Sequence, residues 1–523
     1  MARSWRSLLL LVTVSACARS DQSAPPDTVN LLVDAARASD LAAVTPIDAA
    51  ASQDLSVVDL AAPDLSLPDS AIPTTLALAV PCVDSADDVY VTPMGLPALG
   101  PSSQGDVVRC HHDVSFDETG TAVDATLTGK GIALGVPSSG VTVYRIAFRT
   151  FRGNQTAAAS TARVYLPTTP RALPLPIIVV GHPSQGMGDA CAPSKDQTLL
   201  LEVALPWAAR GYAVITPDYT GLGNEGVQGY LDNRDQGQAL LDGARALRKL
   251  MLAGTFTQKV VVEGWSQGGG AVLSAQALAK SYGADGELAA VVAFAPEWPI
   301  RDNSFAFVDM VNNPDTFVSY DLTNMNLSYS NHVIWTQRAY GYFANFSQLT
   351  SDGGAAFPSG VKSTFVNDMD NLCGVVAIGA AIYIAARPPF GAKNGDLFDP
   401  AFRTSLSACF GSAASSGCSG LGKDFYTHFE ANHLHGDPAG APVLLVQGLL
   451  DTVLPPAKEA ACIAQKLTSE GLTPQVCVDP VAQHSDIVSR NIKTAIDWVE
   501  ARLAGMPAPA CPTQTALPSP VCN

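Results

Sequence analysis

The stretch GWSQG, Gly264 to Gly268, sets one serine between two glycines, after an apolar run and before a run of small residues. A serine hydroxyl is a poor nucleophile until a base takes its proton, and the base needs an acid to orient it. Serine on a sharp strand-to-helix turn is the arrangement that exposes such a hydroxyl, and the glycines let neighbouring backbone pass close to the turn. A phosphate-binding loop is the rival for a glycine-rich turn, but no Lys-Ser/Thr follows Gly268, Gly269 and Gly270. On a turn of this kind the acid and then the histidine follow the serine in chain order. Asp451 ends VLLVQGLLD and His484 stands in VCVDPVAQHSDI, each after an apolar strand, at the sheet edge where open α/β folds hold ligands. His332, His428, His433 and His435 precede Asp451, and Asp479 and Asp486 lie on the wrong strand or the wrong side of the histidine. Ser266, His484 and Asp451 are therefore the candidate nucleophile, base and acid.

A tetrahedral intermediate also needs preorganised N–H donors. One expected donor is the backbone N–H of Gln267, next to the nucleophile. The other is expected in GHPSQG, where Pro183 has no N–H to give, which leaves Ser184.

The elements that must position these groups are legible as alternating runs. VYRIAFRTFRGNQTAAASTARVYLP gives two extended stretches around RGNQ, as in a hairpin; LPIIVVGH, GYAVITPDYTGLG and KVVVEGWSQGG are buried strands. RDQGQALLDGARALRKLM and GAVLSAQALAKSYG have helical spacing, and ELAAVVAFAP is a further strand. APVLLVQGLLD, PPAKEAACIAQKLTSEG, TPQVCVD and IVSRNIKTAIDWVEARLAG resume the alternation. The expected fold class is α/β, a mostly parallel central sheet with helices on both faces. Between these halves, from Asn303 to Gly440, the rhythm stops, yet 20 of the 37 Phe, Trp and Tyr residues fall there. A loop of that length without its own fold is improbable, so a large, mainly helical inserted cap is expected.

The expected order is residues 1–17 as an export signal, 18–80 as a disordered tether, 81–302 as the first part of the sheet domain, 303–440 as the cap, 441–506 as the second part and 507–523 as an irregular tail. The tether, with Asp54, Asp59, Asp64 and Asp69 five apart in QDLSVVDLAAPDLSLPDS, lacks the apolar surface to fold. The formal charge is -17, and from Pro81 onward 39 acids stand against 27 bases, which excludes phosphate backbones as natural partners. MARSWRSLLLLVTVSAC has basic residues, a short apolar run and then small residues, as an export signal does. Its VSAC resembles the lipobox of bacterial lipoproteins, which implies lipidation of Cys17 and a membrane anchor at the cell envelope.

Ten further cysteines, an even number in an exported chain, read as disulfides. Proximity along the chain favours Cys462 with Cys477, Cys409 with Cys418 and Cys511 with Cys522. RCHHD holds His111 and His112, but adjacent residues on a strand point apart, and HLHGD is read equally blandly; neither is assigned a metal, and no cofactor is implied.

With these motifs in hand, the chain resembles the α/β hydrolases and, more narrowly, the secretory lipases of the lipase-A type. YRIAFRTFRGNQTAAASTARVYLP resembles that family's opening hairpin, GHPSQGMGDACAPS its His-Gly-x-x-Gly loop followed by Cys-Ala-Pro-Ser, and GYAVITPDYTGLG and GWSQGGGA follow in family order. The resemblance spans Tyr144 to Pro296 and, less closely, Ala441 to Ala504. It implies a nucleophile at Ser266, an acid at Asp451, a base at His484 and oxyanion donors at Ser184 and Gln267. Pro183 departs from a family glycine. The activity it implies is carboxylic ester hydrolysis, with a small-molecule or lipid ester as substrate. Two rivals stand beside it: a capped serine peptidase with Glu297 or Asp302 holding a substrate amine, and a non-catalytic surface binding protein on the same scaffold.

Overall fold

The computed structural model describes residues 73–298, 327–374, 393, 396–513 and 515–522, with the side chains of 327–332 aside. The export signal, Cys17, the tether as far as residue 72, Asp302 and the side chain of His332 lie outside the described residues.

Nine strands form one sheet in the order β1-β2-β3-β5-β4-β6-β7-β8-β9. β1 (Val107–His112), β2 (Val141–Phe151) and β3 (Ala157–Pro167) run antiparallel, and β3 joins β5 (Val214–Pro217) antiparallel. From β5 the pairing is parallel through β4 (Leu175–Gly181), β6 (Phe256–Trp265), β7 (Glu287–Phe294), β8 (Val443–Gly448) and β9 (Gln475–Asp479). The continuous apolar runs have a direct cause. Ile177, Val179, Val260 and Val262 enter the core on one face, while Ile178, Val180 and Val261 enter the core on the other. Each such fully buried side chain contributes about 1.5–3 kcal/mol, so the central positions of a strand that must fill both cores are mostly apolar.

Helices cover both faces. Asn233–Leu250 and Gln267–Leu278 pack on one, and Ile487–Leu503, with the buried Trp498, on the other. The Asp232 carboxylate caps Asn233–Leu250 by accepting the N–H of Asp235 at 2.9 Å.

Between β7 and β8 the described residues contain the helices Leu327–Asn345, Lys362–Asn371, Pro400–Gly411 and Gly420–Ala431. Their aromatic residues, among them Trp335, Phe343, Phe365, Phe402, Phe425 and Phe429, form a separate core joined by Met187, Tyr230 and Leu231. The aromatic enrichment of this insert is therefore its own packing. It meets the sheet domain through His428 Nε2 and Asp232 Oδ2 at 2.6 Å, Asn233 Nδ2 and Asn432 O at 2.8 Å, and Arg152 Nη1 and Asn345 Oδ1 at 2.7 Å.

The chain is engaged a little before Cys82. Leu78 bridges Met251, and Leu76, Leu78 and Val80 pack against the core, because their alternate spacing puts one apolar face on the sheet domain. Disulfides join Cys82–Cys110, Cys191–Cys373, Cys409–Cys418, Cys462–Cys522 and Cys477–Cys511. The Cys409–Cys418 expectation agrees with this; the pairings of Cys462 with Cys477 and of Cys511 with Cys522 do not. Cys462 sits in the core on one face of the sheet and Cys477 in the core on the other, so the two cannot meet however close they are in sequence.

Candidate active site

Ser266 follows β6 with φ 57° and ψ −116°, a left-handed conformation that costs a non-glycine residue about 1–3 kcal/mol. Its neighbours hold it there. The Ser266 N–H donates to Phe294 O at 2.9 Å, and its C=O accepts from Gly270 at 3.1 Å and from Glu297 at 3.0 Å. The glycines are obligatory for a steric reason: a Cβ on Gly264 would lie 2.2 Å from Gly268 O, and one on Gly268 would lie 2.0 Å from Gly181 O. A Cβ on Gly270 would lie 1.9 Å from Glu297 O, so the run of glycines lets the strand ends after β4 and β7 close in on the turn.

The structure brings the three separated candidates together. His484 Nε2 lies 3.0 Å from Ser266 Oγ, and His484 Nδ1 lies 2.8 Å from Asp451 Oδ2. Asp451 is buried at 3% exposure. Its Oδ1 accepts the N–H groups of Val453 at 2.9 Å and Leu454 at 2.8 Å, and Oδ2 also accepts from Gln447 Nε2 at 3.1 Å. Those donors fix the carboxylate so that its remaining strong bond orients the imidazole. The loops carrying acid and base are joined by Leu449 N–H to Asp479 O at 2.9 Å and Leu450 N–H to Ala482 O at 3.0 Å. Trp265 packs beside the His484 ring, 5.7 Å between centroids.

The rival residues are engaged elsewhere. His428 meets Asp232, His435 meets Glu470 at 2.7 Å, and Asp479 is held by Arg490 and Asn491. Asp486 accepts the Gln483 N–H at 2.7 Å. His111 Nδ1 lies 2.8 Å from Asp84 O, and His112 Nε2 lies 2.9 Å from Asp117 Oδ2.

Ser184 and Gln267 lie on the two segments that meet at Gly181 and Gly268. Gln267 begins the helix after Ser266, and Gly181 pairs with Gly264 in the sheet. The loop with Ser184 is locked from below. His182 is buried, its Nδ1 2.7 Å from Pro183 O, and Tyr219 Oη donates to His182 O at 3.1 Å. Further along, the Ser194 N–H donates to Asp218 Oδ1 at 2.8 Å, the Ser194 hydroxyl bonds Asp218 Oδ2, and Thr161 Oγ1 donates to Oδ2 at 2.6 Å. Burial pushes the Asp218 carboxyl upward, against the lowering effect of the bonds from Ser194 and Thr161. Across the loop, Cys191–Cys373 ties it to the insert, where Gly186 also bridges Cys373.

Two charged groups beside the triad went unassigned or half-assigned in the sequence. Glu297 is buried, and burial pushes its carboxyl up to about 7, opposed by the charges of Arg338 and His484. Arg338, on the insert helix Leu327–Asn345, is also buried, which lowers it to about 10, opposed by Glu297, Asp232 and Tyr230. It lies over the rings of Trp335 and Phe429. Asp218 and Tyr230 were likewise missed; the sole local signal was an acid immediately after a buried strand in VITPDY.

Chemically, the arrangement can take a proton from Ser266 Oγ and hold the resulting imidazolium against Asp451. Residues 195–300 match the family model described as secretory lipase. A protein named Lipase A, of Moesziomyces aphidis, is 32% identical over 152 residues, 27% of this chain and 32% of the relative. The match thus spans about a third of the length of that curated relative. The rice cell wall degrading esterase LipA of Xanthomonas oryzae superposes with a TM-score of 0.54 at 18% identity, over 77% of this chain and 100% of that one. Candida antarctica lipase A in its closed state does so with a TM-score of 0.55 at 16% identity, over 84% and 90%. The fold is that of the α/β hydrolases, and the resemblance to the secretory lipases stands on the family model and the curated relative.

Proposed function

We propose that the chain is a serine carboxylic ester hydrolase, a lipase or esterase working through an acyl-enzyme on Ser266. The observation that carries this reading is the continuous contact from Ser266 Oγ through His484 to Asp451, at 3.0 and 2.8 Å, on a turn that only flanking glycines permit. His484 takes the Ser266 proton as Oγ attacks the ester carbonyl, then gives it to the leaving alcohol. Water, deprotonated by His484, releases the acid and restores Ser266. Asp451 keeps Nδ1 protonated and stabilises the imidazolium. The N–H groups of Gln267 and Ser184 serve the oxyanion, and the insert serves as the cap over the site.

Initial rates on p-nitrophenyl acetate, butyrate and palmitate test the reading. Wild type turns over at least one of them, and Ser266→Ala lowers kcat by about 10⁴-fold or more. Turnover of none, or turnover that survives Ser266→Ala, refutes it.

Glu297 is the observation that favours a peptidase, since an acid near the base can hold a substrate amine. Arg338 already opposes that carboxyl, which leaves less negative field for an amine, so ester cleavage without aminoacyl nitroanilide cleavage is expected. Five disulfides suit an exported protein. Cys17 is proposed as its lipid anchor, and palmitate labelling that persists in Cys17→Ser would remove that anchor from the account.

A further inference from the structure

Ser184 has a side-chain contact that the ester hydrolase reading leaves without a role. Its Oγ lies 2.8 Å from Oη of Tyr230. Tyr230 is buried, and it precedes the helix Asn233–Leu250. The insert helix presses on this segment: a Cβ on Gly341 would lie 3.1 Å from the Tyr230 backbone N and 2.5 Å from Gln228 O. The phenol is thus held between the sheet domain and the insert, with its hydroxyl on Ser184.

A buried phenol hydroxyl needs an acceptor for its proton. Ser184 Oγ is within reach, and at this contact either hydroxyl can be the donor. When Tyr230 donates to it, the proton of Ser184 cannot point back at the phenol and must turn to another acceptor. The loop bearing Ser184 runs against Gly268, the residue after Gln267, whose Cα position leaves no room between it and the carbonyls of Gly181 and His182. The start of that helix and the entry to this loop therefore flank the turn that carries Ser266.

We propose that Ser184 offers two donors to the oxyanion, its N–H and its O–H, and that Tyr230 is the positioning residue that aims the hydroxyl by donating to its oxygen. The proposal rests on the ester hydrolase reading and deepens it. No proton changes oxygen: Tyr230 and Ser184 each keep their own, and the charge is met by a hydrogen bond alone. Burial raises the Tyr230 hydroxyl far above its ordinary value, with Ser184 acting in the opposite direction, so the phenol remains a donor throughout the working pH range. The side-chain donor also offsets Pro183, which contributes no N–H to the same loop.

Kinetics of Tyr230→Phe, Ser184→Ala and the double variant on p-nitrophenyl butyrate test this, with rates normalised to Ser266 titrated to completion by a fluorophosphonate. Loss of one oxyanion donor lowers kcat by about 10²–10³-fold, so Ser184→Ala is expected near the lower figure and Tyr230→Phe, which only misaims the donor, at about 10-fold. KM should stay within about threefold, because the oxyanion does not exist in the bound substrate. The double variant should equal Ser184→Ala alone, since Tyr230 acts through Ser184. Affinity for an alkyl trifluoromethyl ketone, whose adduct on Ser266 carries the oxyanion, should fall by the same factor as kcat/KM. A purely structural role for Tyr230 would not link these two quantities.

An unchanged kcat in Ser184→Ala overturns the proposal even if Tyr230→Phe fails to fold. Additive losses in the double variant overturn the role of Tyr230. Absence of Ser266-dependent turnover in wild type overturns the hydrolase reading and this proposal together, whereas normal wild-type turnover with undiminished variants overturns this proposal alone.

Discussion

Cys191–Cys373 spans 182 residues of chain, while Cys409–Cys418 spans 9. A cross-link removes loop-closure entropy from the unfolded chain in proportion to the logarithm of the loop it closes. On that relation the first bond is worth about 5.3 kcal/mol at 25 °C and the second about 2.6 kcal/mol, a difference of about 2.7 kcal/mol. Cys191→Ala/Cys373→Ala and Cys409→Ala/Cys418→Ala each remove two sulfur atoms; Cys191, Cys409 and Cys418 are buried and Cys373 is exposed, so lost packing adds no more to the first pair than to the second. Urea unfolding followed by tryptophan fluorescence gives the loss of stability in each. The long-span pair should lose about twice as much as the short-span pair. Activity separates them further, because Cys373 bridges Gly186, two residues from Ser184, and Cys409–Cys418 lies wholly within the insert. Ester turnover per titrated Ser266 should therefore fall in the first variant and hold in the second. Equal stability losses, or equal turnover, would refute the idea that this bond both shortens the unfolded chain and seats the Ser184 loop.

Glu263, three residues before Ser266, is fully buried, with Oε2 accepting from Trp207 Nε1 at 2.7 Å and Oε1 without a partner among the described residues. Burial raises its carboxyl well above the ordinary range, so the native state keeps a proton that the unfolded chain loses. Stability should then decline as pH rises from the unfolded value towards the folded one, by about 1.4 kcal/mol per pH unit. Glu263→Gln retains an acceptor for Trp207 and abolishes that slope; thermal midpoints of the two proteins from pH 4 to 9 that run parallel would contradict this. Asp451→Asn keeps the shape of the acid but gives His484 the wrong tautomer, and kcat for p-nitrophenyl butyrate should fall by about 10⁴-fold with little change in KM. A loss below tenfold would mean that Asp451 does not orient His484.

Much of the sheet was legible because its strands lie between two cores, which favours apolar residues on both faces and leaves unbroken runs such as Ile177 to Val180 and Val260 to Val262. Ser266, Asp451 and His484 could be singled out because each lies just beyond a strand, and parallel strands bring their ends to one edge. The parts that stayed hidden depend on contacts between distant residues. Nothing near Asp218 in sequence says that Ser194 and Thr161 will converge on it, and nothing near Tyr230 names Ser184. The cysteines teach the same point. Cys462 and Cys477 are close along the chain, but Cys462 sits on a helix against one face of the sheet and Cys477, in β9, enters the core on the other, so the nearest partner in sequence was the wrong one in space.

The insert leaves the sheet after β7 and returns at β8, and those two strands are neighbours, with Val291 opposite Val443 and Phe294 opposite Val446. To the sheet, the whole insert is a single connection between adjacent strands, and its aromatic core is largely its own. Lengthening such a connection raises the closure term only logarithmically, so the insert can grow, shrink or be exchanged with little demand on the strands that hold Ser266, Asp451 and His484. The scaffold is in this sense a socket, in which the insert can be altered while the placement of Ser266, His484 and Asp451 is kept.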